Sequence, residues 1–264
     1  MNQQNPSRVL IADTLPEEAG LAVLKSLPFS FSAAPDAEAA DVWVLDGQQP
    51  DWPQRVAAAA GRQVILVDPV PAGQPAGLSF WLDTPWGSNP VCDAVATELA
   101  THPWELAATA WQRLECRALV PTTASPEQAL LNLVSLARAV GVAIDALRVQ
   151  LHDELGVTAV GRSGDHEVDF DVTLTDAVPP RARLRALTSD GDITATIPGP
   201  RTALPAALVV TDVGGSVTSP TLWESSHRAT WRRLLRAEPA HDARAFAEDA
   251  ATVTSALNQK EELS

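Results

Sequence analysis

The feature that most limits how this chain can fold is a change of period. Up to about residue 70, short apolar runs alternate with helical segments, and three of those runs end in an acid: "RVLIAD" at 8–13, "DVWVLD" at 41–46 and "QVILVD" at 63–68. From about residue 144 to 213 the apolar spacing drops to two, in "DALRVQLHD", "GVTAVGRS", "EVDFDVTLTD", "RARLRALTS" and "DITATIPG", with the hairpin sequences "RSGDH" and "TSDGD" between runs. Strands alternating with helices predict a parallel, doubly wound sheet, whereas period-two runs joined by tight turns predict an antiparallel one. The expected fold is α/β: a trimmed Rossmann-like domain over 1–85, then an α+β domain over 86–264 with an open antiparallel sheet and C-terminal helices.

Local signals place the helices. "TLPEEAGLAVLKSLP" offers Thr14 as an N-cap, Pro16 in the first turn, and Glu17 and Glu18 near the positive end of the dipole. "WPQRVAAAAG" reads as a helix closed by Gly61, and "FSFSA" before it as a weak strand. Proline and glycine at 73, 75, 77, 85, 87 and 90 mark a linker or lid-like crossover that contains Phe80, Trp81 and Trp86. Helices follow over "VCDAVATELAT", "PWELAATAWQRLE" and "SPEQALLNLVSLARAVG", the last starting at Ser125 with Pro126 at its first position. The tail reads as two more, "TLWESSHRATWRRLLRAE" and "DARAFAEDAATVTSALNQ", with Trp223 and Trp231 on one face of the former.

Composition removes several classes of function. The formal charge is -14 and no basic run exceeds "WRRLLR", so a phosphate backbone would be repelled and nucleic acid is not an expected partner. No apolar run approaches the roughly 20 residues that span a bilayer, and "MNQQNPSRVLIAD" has neither a basic n-region nor an apolar h-region, so the cytoplasm is the expected location and no membrane partner is expected. Cys92 and Cys116 lie outside any CxxC spacing, which points to buried thiols rather than a disulfide framework or zinc site. The only lysines are Lys25 and Lys260.

The order of these parts, with "ADVWVLDGQQPDW", "AAAGRQVILV" and Val67-Asp68-Pro69, resembles the Gfo/Idh/MocA family of NAD(P)-dependent oxidoreductases. That family acts mostly on sugars and related polyols, and its pattern has a histidine at the start of the helix and Glu-Lys-Pro after the next strand. The resemblance puts Trp52 near the histidine position and Asp68 at the catalytic lysine. It also implies that the open sheet face forms the oligomer contact.

The departures from that pattern fall on one functional axis. A dinucleotide needs glycine at the first strand-to-helix turn so that the backbone can approach the pyrophosphate. Here the turn reads "ADTLPEEAG", with no glycine before Gly20 and with Glu17 and Glu18 where a diphosphate would lie. Asp68 cannot do the work of a lysine, and the helix expected to carry the family's acid and histidine offers only Asn132 and no histidine. The expectation is therefore a redox-inactive family member with no cofactor, serving as a partner subunit or a repurposed small-molecule binder. As subunit it would join a second copy or an active paralogue through the antiparallel sheet. The alternatives are an NAD(P)-dependent oxidoreductase acting on a sugar or related metabolite, and a non-redox enzyme using a cleft carboxylate.

Candidate site residues follow from topology. Asp13, Asp46 and Asp68 end parallel strands, where open α/β sheets bind ligands; Asp46 and Asp68 are candidate bases and Asp13 a candidate ligand contact. Trp81 and Trp86, with Trp104, are candidates for stacking on a sugar or flat ring, against the plainer reading of core filling or an interface patch, and Trp52 is a candidate ligand contact by the resemblance. His152, Asp153, His166 and Glu167 flank a hairpin without metal spacing. Ser225, Ser226 and His227 lack the glycines of a nucleophile elbow.

Overall fold

The computed structural model describes residues 6–71, 77–101, 111–236 and 242–262. In chain order the elements are β1 (Ser7–Ile11), α1 (Leu21–Ser26), β2 (Phe31–Ala33), β3 (Val42–Asp46), α2 (Trp52–Ala58), β4 (Gln63–Val67), β5 (Trp81–Asp83), α3 (Val91–Thr101), β6 (Arg113–Val120), α4 (Pro126–Ala139), β7 (Ala146–Asp153), β8 (Gly156–Ser163), β9 (His166–Leu174), β10 (Arg181–Leu187), β11 (Asp192–Pro198), β12 (Ala207–Asp212), β13 (Gly215–Thr218), α5 (Ser226–Leu235) and α6 (Asp242–Glu262). They divide into two compact units. One comprises Met1–Thr84 with Ser226–Ala247, the other Pro85–Ser225 with Glu248–Ser264.

The first unit holds a parallel sheet in the order β2-β1-β3-β4-β5. Residues of both alternations are buried along its strands: Val42, Val44, Ile65 and Val67 in one set, Leu45, Val64 and Leu66 in the other. A strand that alternated apolar with polar could not be covered on both faces in this way. Val23 of α1 and Trp231 and Leu234 of α5 join the first set, with the Trp231 ring edge-on to Phe31 at 5.1 Å. A second aromatic group joins Trp52, Phe80 and Phe246 at centroid distances of 5.8 to 6.4 Å. The crossover from β2 to β3 spans residues 34–41 without a helix, shorter than the dozen or more residues that parallel connections ordinarily use.

Two local expectations for this unit are corrected. The helix expected from Thr14 starts only at Leu21, and Asp13 to Gly20 form turns, because Gly20 lacks a side-chain cap and its Cα side is filled by Ile11. The segment expected to be a linker or lid-like crossover contains β5, whose Trp81 joins the core. The outer N–H of this edge strand is not left bare. Leu82 donates to the Asp242 carboxylate at 2.8 Å, which Arg233 also holds at 3.1 Å.

The second unit holds an eight-stranded sheet in the order β13-β12-β11-β10-β6-β9-β8-β7. It is open and antiparallel except at one seam, where β6 and β9 run parallel. The chain leaves β6 into α4 and returns through the β7–β8–β9 meander, so the last strand of the meander docks in the same sense as β6. Alternation is clean: Leu114, Cys116 and Ala118, Val168, Phe170 and Val172, Ala182, Leu184 and Ala186, and Ile193, Ala195 and Ile197 are buried. The intervening positions carry arginines, acids and threonines. α4 begins as expected, with the Ser125 Oγ accepting from the Gln128 N–H at 3.0 Å, and its residues Gln128 to Ala137 are all buried.

The helix expected over "PWELAATAWQRLE" gives way to β6 from Arg113; residues 102–110, and with them Trp104, lie outside the described residues. Trp223 precedes α5 and is exposed, so it shares no helix face with the buried Trp231. Among the described residues no helix is long and apolar enough to cross a membrane.

Candidate functional site

The C-terminal ends of the parallel strands are where an open α/β sheet presents its ligand crevice. Four acids stand there, and the structure treats each differently. Asp13 is exposed in the turn after β1. Asp46 is buried and its carboxylate is engaged locally, accepting from the Gln48 N–H at 2.9 Å and from Gln49 Nε2 at 3.0 Å. Asp68 is half-buried and has φ of 46°, the only left-handed non-glycine residue among those described. Its N–H donates to the Asp83 carbonyl at 2.8 Å, and its own carbonyl accepts from Gln48 Nε2.

The exits of β3 and β4 are sewn together by backbone. Gly47 donates to Val67 O at 2.8 Å and its carbonyl accepts from the Val70 N–H at 2.9 Å. A Cβ on Gly47 would fall 2.4 Å from Pro69 Cα, so only glycine permits this approach. Trp52, wholly buried, ties to the same turn by donating Nε1–H to Val70 O at 3.0 Å. Asp46, Asp68 and Trp52 are thus brought to one place, by way of Gln48 and the 67–70 turn. Trp81 lies in the core of this unit instead, and Trp86 is buried in the other unit, where its carbonyl accepts from Cys92 Sγ.

The most heavily buried charged pair at this edge comes from residues that the pattern of the sequence did not bring together. Asp83, the last residue of β5, is wholly buried, and its Oδ2 lies 2.9 Å from Nδ1 of His227 on the first turn of α5. Burial pulls the imidazole toward its neutral form, but the charge and hydrogen bond of Asp83, with the charges of Glu18 and Asp68, outweigh it and raise His227 above the ordinary histidine value. Asp83 was hidden inside a segment read as crossover, and His227 looked like one of three polar neighbours within one helix. Only an apolar run ending in an acid, "FWLD", could have marked the former as a strand end.

Of the other histidines, His152 and His166 belong to the second unit, and His102 and His241 lie outside the described residues. His152 Nε2 meets Glu127 Oε1 at 2.9 Å, and His166 stacks near Trp111 with ring centroids 4.6 Å apart. Cys92 and Cys116 are free and buried, and burial pushes the Cys92 thiol up to about 12. Among the described residues no three His, Cys, Asp or Glu side chains are grouped to hold a metal ion.

No family model matches this sequence, and no curated protein matches it. Solved structures do. A provisionally named NADPH-dependent oxidoreductase from Desulfitobacterium hafniense superposes with a TM-score of 0.72 at 9% identity, covering 98% of this chain and 97% of that one. An oxidoreductase from Agrobacterium radiobacter, in complex with NAD+, L-tartaric acid and magnesium, superposes at 0.67 with 12% identity over 97% and 96%. A mutant 3-ketoreductase from Actinomadura kijaniata, in complex with TDP-benzene and NADP, superposes at 0.64 with 12% identity over 96% and 98%. This is the Gfo/Idh/MocA fold.

Two of these neighbours carry a nicotinamide dinucleotide, so the same groups can be tested for fit in this version of the Gfo/Idh/MocA fold. The dinucleotide grip requires a glycine turn opening onto a helix N-terminus. Here α1 has only six residues, fewer than two turns, and its N-cap Gly20 is packed so closely on Ile11 that a Cβ would lie 2.7 Å from that side chain. Glu17 and Glu18 occupy the turn, with Glu17 exposed and ion-paired to Lys25 at 3.7 Å. Asp36, the acid after β2, caps its own turn by accepting from the Ala39 N–H at 2.8 Å. At position 68 an acid stands on left-handed backbone. These residues do not fit a nicotinamide dinucleotide.

Proposed function

We propose that this chain keeps the Gfo/Idh/MocA fold without its hydride chemistry and works as a redox-inactive subunit. The observation that carries this reading is the β1–α1 connection: its two glutamates and six-residue helix oppose a diphosphate where the fold would otherwise hold one. The test is calorimetry with NADH and NADPH, together with mass spectrometry of the purified protein for co-purifying nucleotide. The expected affinity for either is weaker than about 1 mM. Micromolar binding overturns the reading in favour of an NAD(P)-dependent oxidoreductase. Asp68→Lys alone should restore no turnover with sugars or polyols, since the phosphate turn would still be wrong.

The subunit role rests on the outward face of the open sheet. Glu167, Asp169 and Asp171 of β9 lie beside Arg113, Glu115 and Arg117 of β6, and those beside Arg183 and Arg185 of β10, so an acidic row and a basic row flank a mixed one across one face. A second copy turned about a two-fold axis would set basic rows against acidic ones, and we assign that occupant. Sedimentation at low salt should give a dimer that weakens as salt is raised and is lost in Arg183→Glu/Arg185→Glu. A monomer at low salt and high concentration overturns the assignment, as does recovery from the native host of a different chain on this face.

A further inference from the structure

The chain passes out of the first unit after Thr84 and back into it at Ser226. Asp83 and His227 lie immediately inside those two points, and their side chains are bonded to each other at 2.9 Å. Among the described residues, every ionisable group facing the imidazole is an acid: Asp83 from β5, Glu18 from the β1–α1 connection and Asp68 from the turn after β4. α1, which also packs on α5, contributes only Lys25, exposed and engaged with Glu17. Of α5's own arginines, Arg228 and Arg232 are exposed and Arg233 is bound to Asp242. We propose that the Asp83–His227 pair is a proton-operated latch, which holds the start of α5 on the edge strand β5 while the imidazole is protonated and frees it when the proton leaves.

The physical basis is the asymmetry of a buried ion pair. Closed, imidazolium and carboxylate compensate each other in a medium where neither charge could stand alone. Loss of the proton from His227 leaves the Asp83 carboxylate buried with only a neutral partner, and its Oδ1 already lacks any hydrogen-bond partner among the described residues. Because the histidine is raised in the folded state, its contribution is complete below the ordinary value of about 6.5 and fades as pH climbs through the folded value. The latch therefore opens on the alkaline side. The far end of α5 does not follow, since Arg233 keeps its charge there and holds Asp242, which in turn caps Leu82 of β5. Opening is local to the first turns of α5, one helical turn before Trp231 and its contact with Phe31.

Hydrogen exchange of the full chain between pH 6 and pH 9, corrected for the intrinsic exchange rate, tests this. Peptides covering 226–235 should lose about tenfold of their protection relative to peptides of β3 and β4 across that range. Asp83→Asn and His227→Gln should abolish the pH dependence, leaving α5 equally protected at both ends. Should either variant fail to fold, titration of the histidine ring nitrogens by NMR in the unmodified protein decides alone, with His227 expected to titrate above about 6.5. Protection of α5 that tracks β3 and β4 at every pH, or a His227 that titrates at or below that value, overturns the proposal.

Discussion

The parallel sheet and the open sheet both carry many charges, but they keep them in different surroundings. In the parallel sheet the ionisable groups collect at the carboxyl ends of strands, where Asp46, Asp83 and His227 are buried and Asp68 is half-buried. In the open sheet they line an outward face, where Arg113 pairs with Asp169 and with Glu167, Arg117 with Glu115 and Arg185 with Asp192, none of them buried. The two arrangements differ in what a single deletion leaves behind. A buried group loses its only compensation, whereas an exposed one regains water. The lesson is that deleting one partner should cost little among the ion pairs of the open sheet and much more in the buried pair of the other unit.

The sharpest way to break that contrast is Asp83→Ala, which leaves His227 buried without its acid. Urea unfolding should show a loss of about 3 to 5 kcal/mol for the first unit. A loss under about 1 kcal/mol would mean that burial is not what separates the two regions. Arg138→Ala asks whether burial or sheet type matters, because this pair belongs to the second unit yet Asp249 is only 2% exposed, with Arg138 at 2.7 Å. A cost of about 2 kcal/mol is expected near neutral pH. Burial, the largest influence, holds Asp249 above the ordinary carboxylate value despite Arg138, so protonation on acidification should shrink the cost of the variant.

Ser125→Ala removes the α4 cap and should cost about 1 kcal/mol, a helix-terminus effect independent of salt. Smallest of all is Arg113→Ala on the open face. Measured in the monomer, it should change stability by less than about 1 kcal/mol, and the difference should vanish in molar salt. A larger or salt-resistant loss would place that face closer in character to the strand ends of the other unit.

Much of the architecture was legible because local pattern and final environment agree. Alternation in "EVDFDVTLTD" and "RARLRALTS" named both faces of the open sheet, and Ser125-Pro126 named the start of α4. What escaped was long-range. The parallel seam between β6 and β9 is set by how a meander docks, which period-two runs do not record. β5 is three residues long and sits among prolines and glycines, so composition spoke for a loop. Of the candidate site, the strand-end acids could be placed by topology and Trp52 by the family resemblance. Asp83 and His227 could not, because a pairing between residues on either side of an entire second unit leaves no trace in spacing.

Position 68 bears on how reversible this branch of the fold is. Its backbone lies at φ 46°, in the small left-handed region that aspartate and asparagine tolerate far better than long side chains. A lysine placed there would meet a conformational barrier, and the turn would have to relax toward ordinary φ. That turn is pinned by Gly47 on one side and by the Asp83 carbonyl on the other. Backbone and side chain are matched at this position, so a long side chain at 68 requires changes in the turn around it as well.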